Sequence, residues 1–580
     1  MRSIGHRIGP RGSSRWLELA GVLGAVLLGA IAVSLLLGTP RAENLFFGAD
    51  STVMPLVQRS IEDGEPFQWR MTSTIFAVEI PIFALLSLVV KGVFTRVLVS
   101  GIVNYVLLYL MLRWIAGVLG ARLSRPVKIG VGLIGVAIPA LMVALEVTWT
   151  VRTIEFASML LSTSYYYPVL IGMFAAVAMV ARMMQVPGRA QAGFAVALGV
   201  MTAVLVMSNP LFVGWAVAPI LGTLFLMLLG RRRGVAWRVL WVATLATGVG
   251  MAAALVIRDL LGDVVGKGAD QYVGGVSVAL EYYSRYTIGE SLQTWRGVVE
   301  MVLLIVLIAF SVYVAVRGMR RSDSAELLFA ALVGPVIVVV IVAGTILTGA
   351  GAARYLQPML FAPLIAVVVL AAQRAQPRTM VESLQDAQSA APDPGEADPG
   401  EDPTGHDPVR EPAAGPGARA VRVGAGVAAV ALLVGGTVAL VDLGRFAAHT
   451  RYTATDCLVE WIDGRDIAGA GNFWLVRPML AFGPDGLQLV QMEDAVTPTV
   501  WMTNRYDFEQ DRKISFILVE QRSWYPESST EFSEQKNVYP KTLGAPAEII
   551  GCDDDEYWIY DYAGTPGEEI LTERLSAWRG

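Results

Sequence analysis

The sequence is poor in charge, histidine and cysteine. Of its 580 residues only 16% are charged and 54% are hydrophobic, whereas a soluble domain has roughly 25% charged residues. Three histidines and two cysteines offer almost no ligands for a His/Cys metal site, so a divalent metal ion held by carboxylates is the one cofactor left open. No basic domain is interleaved with aromatic residues, and nucleic-acid binding is therefore not expected. The composition excludes a purely soluble enzyme and predicts a chain that lies mostly in lipid.

Eleven apolar runs are long enough to form membrane-spanning helices, which need about 20 residues because every backbone amide must be paired inside the helix. These runs cover residues 17–38, 97–118, 127–147, 167–184, 191–208, 211–229, 237–257, 297–317, 326–348, 354–373 and 421–442. The first run is longer than the core of a signal peptide, so we interpret it as a retained anchor. The predicted fold is mostly α, a polytopic membrane helical bundle.

The segment 76–90 decides on which side of the membrane every later loop lies. Because Lys and Arg concentrate in short cytoplasmic loops, a non-spanning 76–90 is favoured, since it places the basic clusters of the chain inside. These clusters contain Arg122, Arg125, Lys128, Arg182, Arg189, Arg231, Arg232, Arg233, Arg317, Arg320 and Arg321. We therefore predict an interfacial or re-entrant helix at 76–90, a cytoplasmic N-terminus and an extracytoplasmic C-terminus in the plasma membrane.

The composition changes after the tenth run. Residues 374–420 are rich in Pro, Asp, Glu, Gly and Ala, which predicts a disordered cytoplasmic linker between a transmembrane catalytic module at 1–373 and a last helix at 421–442. Residues 443–580 contain alternating stretches typical of strands and predict an extracytoplasmic α+β domain. Both cysteines, Cys457 and Cys552, lie in this domain. An oxidising compartment favours a disulfide between them, and a pair of free buried thiols is the alternative.

Acidic, aromatic and arginine side chains concentrate in the predicted outer loops. The first of these loops contains Asp50 and Glu79, the second contains Glu155, and Arg354 stands at the start of a late span. A carboxylate can take a proton from an attacking hydroxyl, and a guanidinium can bind a phosphate with two hydrogen bonds. Because nucleotide sugars are absent outside the cytoplasmic membrane, a phosphate-activated donor there has to be lipid-linked.

This layout resembles the GT-C superfamily of polytopic membrane glycosyltransferases in its bacterial or actinobacterial form. The Arg354-Tyr355-x-x-Pro358 stretch is similar to an Arg-Tyr-x-x-Pro element of the aminoarabinose transferase type, and Cys457…Trp461 with residues 469–474 is similar to the outer domain of bacterial members. The resemblance implies an inverting transfer from a polyprenyl-phosphate sugar to a cell-envelope glycan or lipid-linked acceptor. It also implies Asp50 as the catalytic base and Arg354 with Tyr355 as ligands of the donor phosphate.

The second acid of the family is not identified by the resemblance, because the first loop has no Asp-Asp pair here. Glu79 and Glu155 are the candidates, to orient the acceptor or share a metal ion. Contacts with the sugar or the acceptor are expected from Arg70, Tyr166, Tyr283 and Trp474, with Trp461, Trp501 and Trp524 as further stacking surfaces.

Each of these side chains also has a structural interpretation. Asp50 could cap a helix, Arg354 could extend towards the membrane interface, and the tyrosines could form an interfacial aromatic belt. Two other function classes stay open, namely a transporter or flippase of envelope material and a scaffold without catalysis. A composition rich in Ala, Gly and Arg favours an actinobacterial source, whose wall makes mannose or arabinofuranose the sugars to expect.

Overall fold

The computed structural model describes residues 13–164, 166–230, 232–266, 274–321, 324–375, 416–493, 496–520, 539–552 and 556–576. Within these residues the protein is mostly α-helical, a polytopic bundle of apolar helices that is followed by a smaller α+β domain. The predicted fold class is confirmed. The predicted linker lies mostly outside the described residues, and its last positions, 416–420, already belong to the final helix of the bundle.

The described α-helices of seven or more residues are numbered here in chain order. They are α1 Ser13–Leu36, α2 Val53–Glu62, α3 Glu79–Ser87, α4 Val93–Leu119, α5 Arg125–Met142, α6 Tyr167–Gln185, α7 Arg189–Ser208, α8 Ala218–Met227, α9 Arg233–Leu260, α10 Val276–Tyr282, α11 Trp295–Arg321, α12 Ala325–Thr348, α13 Leu364–Arg374, α14 Pro416–His449, α15 Asp456–Ile462, α16 Phe473–Phe482 and α17 Pro566–Ser576.

Ten helical stretches in the described part of the chain are long and apolar enough to cross a membrane, by length and composition. They correspond to ten of the eleven predicted runs. The remaining predicted run, 211–229, is helical over the shorter range 211–227. Arg258, near the end of α9, donates a hydrogen bond to the carbonyl of Met207, near the end of α7. Because α7 and α9 end on the same side, the helix between them has to return the chain to the opposite side.

The segment 76–90 contains only the nine-residue helix α3. A helix of this length is about 14 Å long, which is roughly half the thickness of the hydrocarbon core of a bilayer. The structure therefore agrees with a segment that does not span the membrane.

The C-terminal domain is built on a six-stranded mixed sheet. Its strands are β2 Ala468–Gly471, β3 Leu489–Glu493, β4 Thr497–Pro498, β6 Ile514–Glu520, β7 Glu548–Cys552 and β8 Tyr557–Asp561. Their order in the sheet is β4-β3-β2-β6-β8-β7. Strand β2 runs parallel to both of its neighbours, and the other pairs are antiparallel. A disulfide joins Cys457 in α15 to Cys552 in β7, with the two Cα atoms 5.7 Å apart.

The C-terminal domain packs directly on the first loop, residues 37–92. Strand β1, Trp69–Arg70 of that loop, pairs antiparallel with β5, Thr503–Asn504 of the domain. Phe482, at the end of α16, contacts Phe47 of the first loop with the ring centroids 5.4 Å apart. The domain therefore forms one wall of the same end of the bundle to which the first loop belongs.

The disulfide predicts a measurable loss of stability when it is removed. The disulfide closes a chain separation of 95 residues. The free energy of unfolding of the C457S/C552S variant should therefore be about 2–4 kcal/mol lower than that of the wild type. The thermal midpoint in detergent measures this, and reductant should lower the midpoint of the wild type but leave the variant unchanged. Equal midpoints of wild type and variant would contradict the expectation.

Candidate active site

Loops that are far apart in sequence meet at one end of the bundle. The first loop contacts the end of α7 and the turn after α9. The second loop (residues 143–166) contacts the segment between α10 and α11, and this segment also contacts the turn after α12. The hydrogen bonds are Ile75 N to Ser208 O at 2.9 Å, Met71 N to Val264 O at 2.8 Å, Ile154 N to Ser291 Oγ at 3.1 Å, and Tyr283 Oη to Ala350 O at 2.6 Å. These loops thus lie at the same end of the bundle.

A cavity of about 210 Å³ lies where these loops meet the C-terminal domain. Its lining combines residues of the first loop, the second loop, the turn before α13 and the C-terminal domain. They are Asp50, Thr72, Thr74, Phe76, Ser164, Tyr166, Arg354, Trp474, Trp501 and Met502. Five residues selected from the sequence therefore line one cavity, namely Asp50, Tyr166, Arg354, Trp474 and Trp501.

Asp50 and Arg354 face each other across this cavity. An Asp50 oxygen, Oδ2, lies 3.8 Å from Nη1 of Arg354, and the two side chains are 19% and 22% exposed. Asp50 belongs to the 3₁₀ turn Ala49–Thr52, which leads into α2. Arg354 belongs to the 3₁₀ turn Ala353–Leu356. The charged pair is half-buried, where a carboxylate and a guanidinium interact more strongly than in water.

Backbone conformation places Arg354 at this position. Gly349 ends α12 with φ of +71°, a left-handed conformation that glycine adopts at helix ends without steric cost. Pro358 starts the next short helix, where its missing N–H would have no partner anyway. The chain between these two residues is thereby forced into a tight turn, with Arg354 in the middle and Tyr355 stacked on Tyr166 at 6.3 Å.

Strained backbone marks the same cavity. Four non-glycine residues of the described chain have a positive φ, and three of them line the cavity: Phe76 at 53°, Tyr166 at 62° and Met502 at 54°. Bulky residues adopt this conformation rarely. Such strain costs about 1–3 kcal/mol per residue and clusters at functional sites. The three residues come from three separate parts of the chain, so their convergence supports a functional role for the cavity.

Glu155 lies outside the cavity lining and folds the second loop. It is 3% exposed and accepts hydrogen bonds from the backbone amides of Val147 at 2.9 Å and Thr148 at 3.0 Å. It also pairs with Arg41 at 3.4 Å. Glu146 accepts two backbone amides of the same loop, and burial raises its pKa. These contacts account for the buried position of Glu155 without a bound substrate.

Glu79 is buried and does not belong to the cavity lining. It is 1% exposed, it accepts a hydrogen bond from Ser208 Oγ at 3.3 Å, and its Oε1 has no hydrogen-bond partner among the described residues. Burial raises the pKa of Glu79 from 4.5 to about 7, against smaller effects of backbone and Ser208 hydrogen bonds. Glu79 therefore holds a titratable proton near neutral pH, but it does not line the cavity.

The remaining predicted contacts divide between the cavity and its supports. Trp501 lines the cavity beside Trp474. Tyr283 holds the turn before Arg354 through its bond to Ala350, and Tyr355 is buried. Arg70, in β1, and Trp461, packed on Phe516 at 5.1 Å, lie outside the lining. Trp524 lies outside the described residues.

Five lining residues were missed by sequence reasoning, namely Thr72, Thr74, Phe76, Ser164 and Met502. Only Ser164 had a usable signal, because it ends a hydroxyl-rich stretch, Ser162-Thr163-Ser164, that runs directly into the tyrosine run. The other four carry no chemistry that singles them out, and only the long-range packing brings them to the site.

An apolar groove of about 720 Å³ adjoins the cavity. Its lining residues come from α4, α6 and α7 and from the chain at the start of α3. They are Val78, Ile82, Leu107, Met111, Tyr167, Pro168, Ile171, Gly172, Ala175, Gly193, Val196, Ala197, Val200, Met201, Val204 and Leu205. Phe76 and Tyr166 line the cavity, whereas Val78 and Tyr167 line the groove. The linings of the polar cavity and the apolar groove are therefore one residue apart at the first of these places and directly adjacent in the chain at the second.

A divalent metal ion finds no ready-made set of ligands in the described part of the chain. No group of three His, Cys, Asp or Glu side chains there is arranged to hold one, and Asp50 is the one carboxylate of the cavity lining. Residues of this site could therefore hold a metal ion only together with a ligand from a substrate, such as a phosphate.

The burial of Glu79 predicts a pH-dependent stability. Because its pKa is raised from 4.5 to about 7 in the folded state, its stabilising contribution is present below pH 4.5 and is lost as the pH rises towards 7. The thermal midpoint of E79Q relative to that of the wild type should therefore increase between pH 5 and pH 7.5. The exposed Glu281 supplies the control, E281Q, which should show no such trend, and a pH-independent difference for E79Q would contradict the expectation.

Comparisons with known proteins add only distant similarity of structure. No family model matches the sequence, and no curated protein matches it. Among solved structures, the chain is similar to the crystal structure of ArnT from Cupriavidus metallidurans bound to undecaprenyl phosphate, with 13% identity over 96% of this chain and 99% of that chain and a TM-score of 0.46. Similarity at this level establishes neither a common family nor a common activity, so the resemblance to GT-C glycosyltransferases stays a prediction.

Proposed function

We propose that this protein is a membrane glycosyltransferase that moves a sugar from a polyprenyl-phosphate donor to a cell-envelope glycan or lipid-linked acceptor. The observation that carries the proposal is the cavity in which Asp50 and Arg354 meet beside an apolar groove. A base, an anion-binding cation and an apolar surface are the three features that this reaction requires. Mannose and arabinofuranose are the first sugars to test.

Asp50 acts as the catalytic base in this proposal. The acceptor hydroxyl attacks the anomeric carbon of the sugar, the bond between that carbon and the phosphate oxygen breaks, and the hydroxyl proton passes to the Asp50 carboxylate. General base catalysis by a positioned carboxylate contributes about 10²–10⁴-fold to a rate. Asp50 is the one carboxylate among the lining residues, whose other side-chain polar groups are hydroxyls, indole N–H groups and a guanidinium.

Arg354 binds the donor phosphate and stabilises the negative charge that the phosphate gains as a leaving group. With Asp50 and Arg354 at 3.8 Å, a sugar ring does not fit between them. The donor phosphate therefore displaces Asp50 from Arg354 when it binds. The same step frees the carboxylate to accept the proton of the acceptor, which couples donor binding to the activation of the base.

The apolar groove is a suitable place for the isoprenoid chain of the donor. Its lining is almost entirely aliphatic and aromatic, and burial of each methylene of a lipid chain contributes about 0.8 kcal/mol. At residues 76–78 and 166–167 the chain passes from the lining of the cavity to the lining of the groove. A lipid that lies in the groove can therefore present its head group to the cavity. No phosphate ligand is needed inside the groove itself.

The C-terminal domain supplies the acceptor side of the cavity in this proposal. Trp474 is 39% exposed and lines the cavity together with Trp501. Phe473 packs against both rings, with centroid distances of 5.0 Å and 4.6 Å, so the two indoles are held in fixed positions. Flat aromatic surfaces with a polar edge suit the apolar faces of sugar rings.

The sidedness of the cavity follows from the charge of the loops. The basic clusters predicted to be cytoplasmic and the loops of the cavity lie at opposite ends of the predicted spans. By the positive-inside rule, this arrangement supports an extracytoplasmic position of the cavity. On that side a lipid-linked sugar is the available activated donor.

Replacement of the proposed base should abolish transfer and keep the fold. In a strain that lacks the gene, the amount of the missing glycan linkage restored by D50N should be lower than that restored by the wild type by a factor of about 10² or more. Linkage analysis, normalised to the amount of protein, measures this. The exposed Asp63 of the same loop provides the matched control, and D63N should restore it fully. Full restoration by D50N, as a scaffold would allow, would contradict the proposal.

Loss of the guanidinium should weaken the binding of the phosphate of the donor. Purified R354A should bind undecaprenyl phosphate about tenfold to a hundredfold more weakly, since a hydrogen bond to a charged group contributes about 1.5–3 kcal/mol. R354K should recover part of the affinity, because lysine keeps the charge but not the bidentate geometry. Arg445, which is exposed, gives the control R445A.

Binding of the uncharged lipid separates the two parts of the site. Undecaprenol, which has no phosphate, should bind R354A and the wild type equally, because it contacts only the groove. A common loss for both lipids would show that R354A disturbs the fold rather than the phosphate contact, and equal affinity of R354A and wild type for undecaprenyl phosphate would contradict the role of Arg354.

A further inference from the structure

We propose that the second-loop segment Ser162-Thr163-Ser164 positions Asp50 and supplies a substrate-binding hydroxyl, that of Ser164. This inference rests on the proposed function, in which Asp50 is the base. It assigns roles to three residues that carry no charge and lie one after another in the chain. Three features support it: the segment is fixed to the bundle, it holds the backbone next to Asp50, and it reaches the cavity.

The segment is anchored to the helical bundle through α4. Asn104, fully buried in α4, donates its amide to the carbonyl of Leu160 at 2.9 Å and to that of Ser162 at 3.3 Å. Gly101 lies one turn earlier, and a Cβ atom there would come within 2.8 Å of the carbonyl of Leu161. The helix and the loop therefore approach each other as closely as their backbones allow, which makes the segment a rigid support.

The anchored segment holds the turn that contains Asp50. The Thr163 hydroxyl donates a hydrogen bond to the carbonyl of Ser51 at 3.0 Å, and Ser51 directly follows Asp50. The Ser51 hydroxyl donates to the carbonyl of Leu45 at 2.5 Å and lies 3.3 Å from the Ser162 hydroxyl. Residue 51 is therefore fixed from both sides, and the backbone of Asp50 is fixed with it.

A row of hydroxyl groups runs from Ser51, the neighbour of Asp50 in the chain, into the cavity. It starts at Ser51 Oγ, continues to Ser162 Oγ, and reaches Ser164 Oγ at a further 3.4 Å. All three serines are buried, and Ser164 lines the cavity with Asp50. Each hydroxyl has one proton to donate and two lone pairs. Because Ser51 donates its proton to the carbonyl of Leu45, Ser162 donates to Ser51 and Ser164 donates to Ser162. The lone pairs of the Ser164 hydroxyl are thereby left for a donor in the cavity.

The arrangement divides the work between the three residues. Thr163 acts through Asp50 and is a positioning residue. Ser162 holds both Ser51 and Ser164. Ser164 contacts the substrate itself, as the acceptor of a hydrogen bond from a hydroxyl of a bound sugar, in a cavity where Asp50 and Arg354 serve the reacting atoms.

The test compares variants that differ by a single hydroxyl or methyl group. T163V keeps the shape of the side chain and removes its hydrogen bond, so turnover should fall about fivefold to tenfold, the equivalent of about 1 kcal/mol. T163S restores the hydroxyl and should restore turnover. The matched control is T202V in α7, where the buried Thr202 hydroxyl donates a hydrogen bond to the Leu198 carbonyl of its own helix. T202V should keep wild-type turnover.

Two readouts distinguish positioning from a loss of fold. Turnover is measured as restored glycan linkage per amount of protein in the strain that lacks the gene, and lipid affinity is measured with undecaprenyl phosphate on purified protein. T163V should lose turnover and keep lipid affinity, because Arg354 is untouched. In a D50N background T163V should cause no further loss, since residues that act as a unit are non-additive. S164A should lower turnover about twofold to tenfold in the wild-type background.

The possible failures are separable. Wild-type turnover of T163V beside an inactive D50N overturns the positioning role and leaves the proposed function intact. Full activity of D50N overturns the proposed function itself. A parallel loss of turnover and lipid affinity in T163V overturns the inference in favour of a structural role, and wild-type turnover of S164A removes Ser164 from the substrate contacts.

Discussion

The contact between Asp50 and Arg354 is the constraint around which this end of the bundle is built. Neither group can lie at the end of an apolar bundle without compensation, because a half-buried charge is costly unless it is paired. The pair joins the first loop to the turn before α13, and residues of the second loop and of the C-terminal domain line the same cavity. The strained backbone of Phe76, Tyr166 and Met502 indicates that this arrangement is enforced against local preference.

Several supports of the cavity are polar and buried. Arg41, which is 0% exposed, joins the start of the first loop to the second loop through Ser158 at 3.1 Å and the carbonyl of Glu155 at 2.7 Å. Arg41 also forms a buried ion pair with the side chain of Glu155. Removing one partner of such a pair is strongly destabilising, whereas the intact pair adds little stability. The network therefore specifies the position of the loops more than it stabilises the fold.

The sequence predicts the bundle well and the site in part. Apolar runs of about 20 residues give the spans because lipid leaves the backbone no other way to pair its amides, and loop charge selects Asp50 and Arg354. Glu155 illustrates the limit, since a carboxylate that folds a loop and one that takes a proton look alike in sequence. Ser164 and Met502 reach the cavity through contacts with distant parts of the chain, which no local pattern encodes. The 211–229 run is shorter in the structure because its helix ends at Met227.

Sidedness is the claim on which the lipid-linked donor depends, and thiol labelling of intact cells measures it directly. The native cysteines are joined in a disulfide, so single cysteines can be introduced at two exposed positions, Asp463 in the C-terminal domain and Arg122 between α4 and α5. The account predicts that a membrane-impermeant maleimide labels D463C in intact cells and labels R122C only after permeabilisation. The reverse pattern, with Arg122 accessible and Asp463 protected, would contradict it.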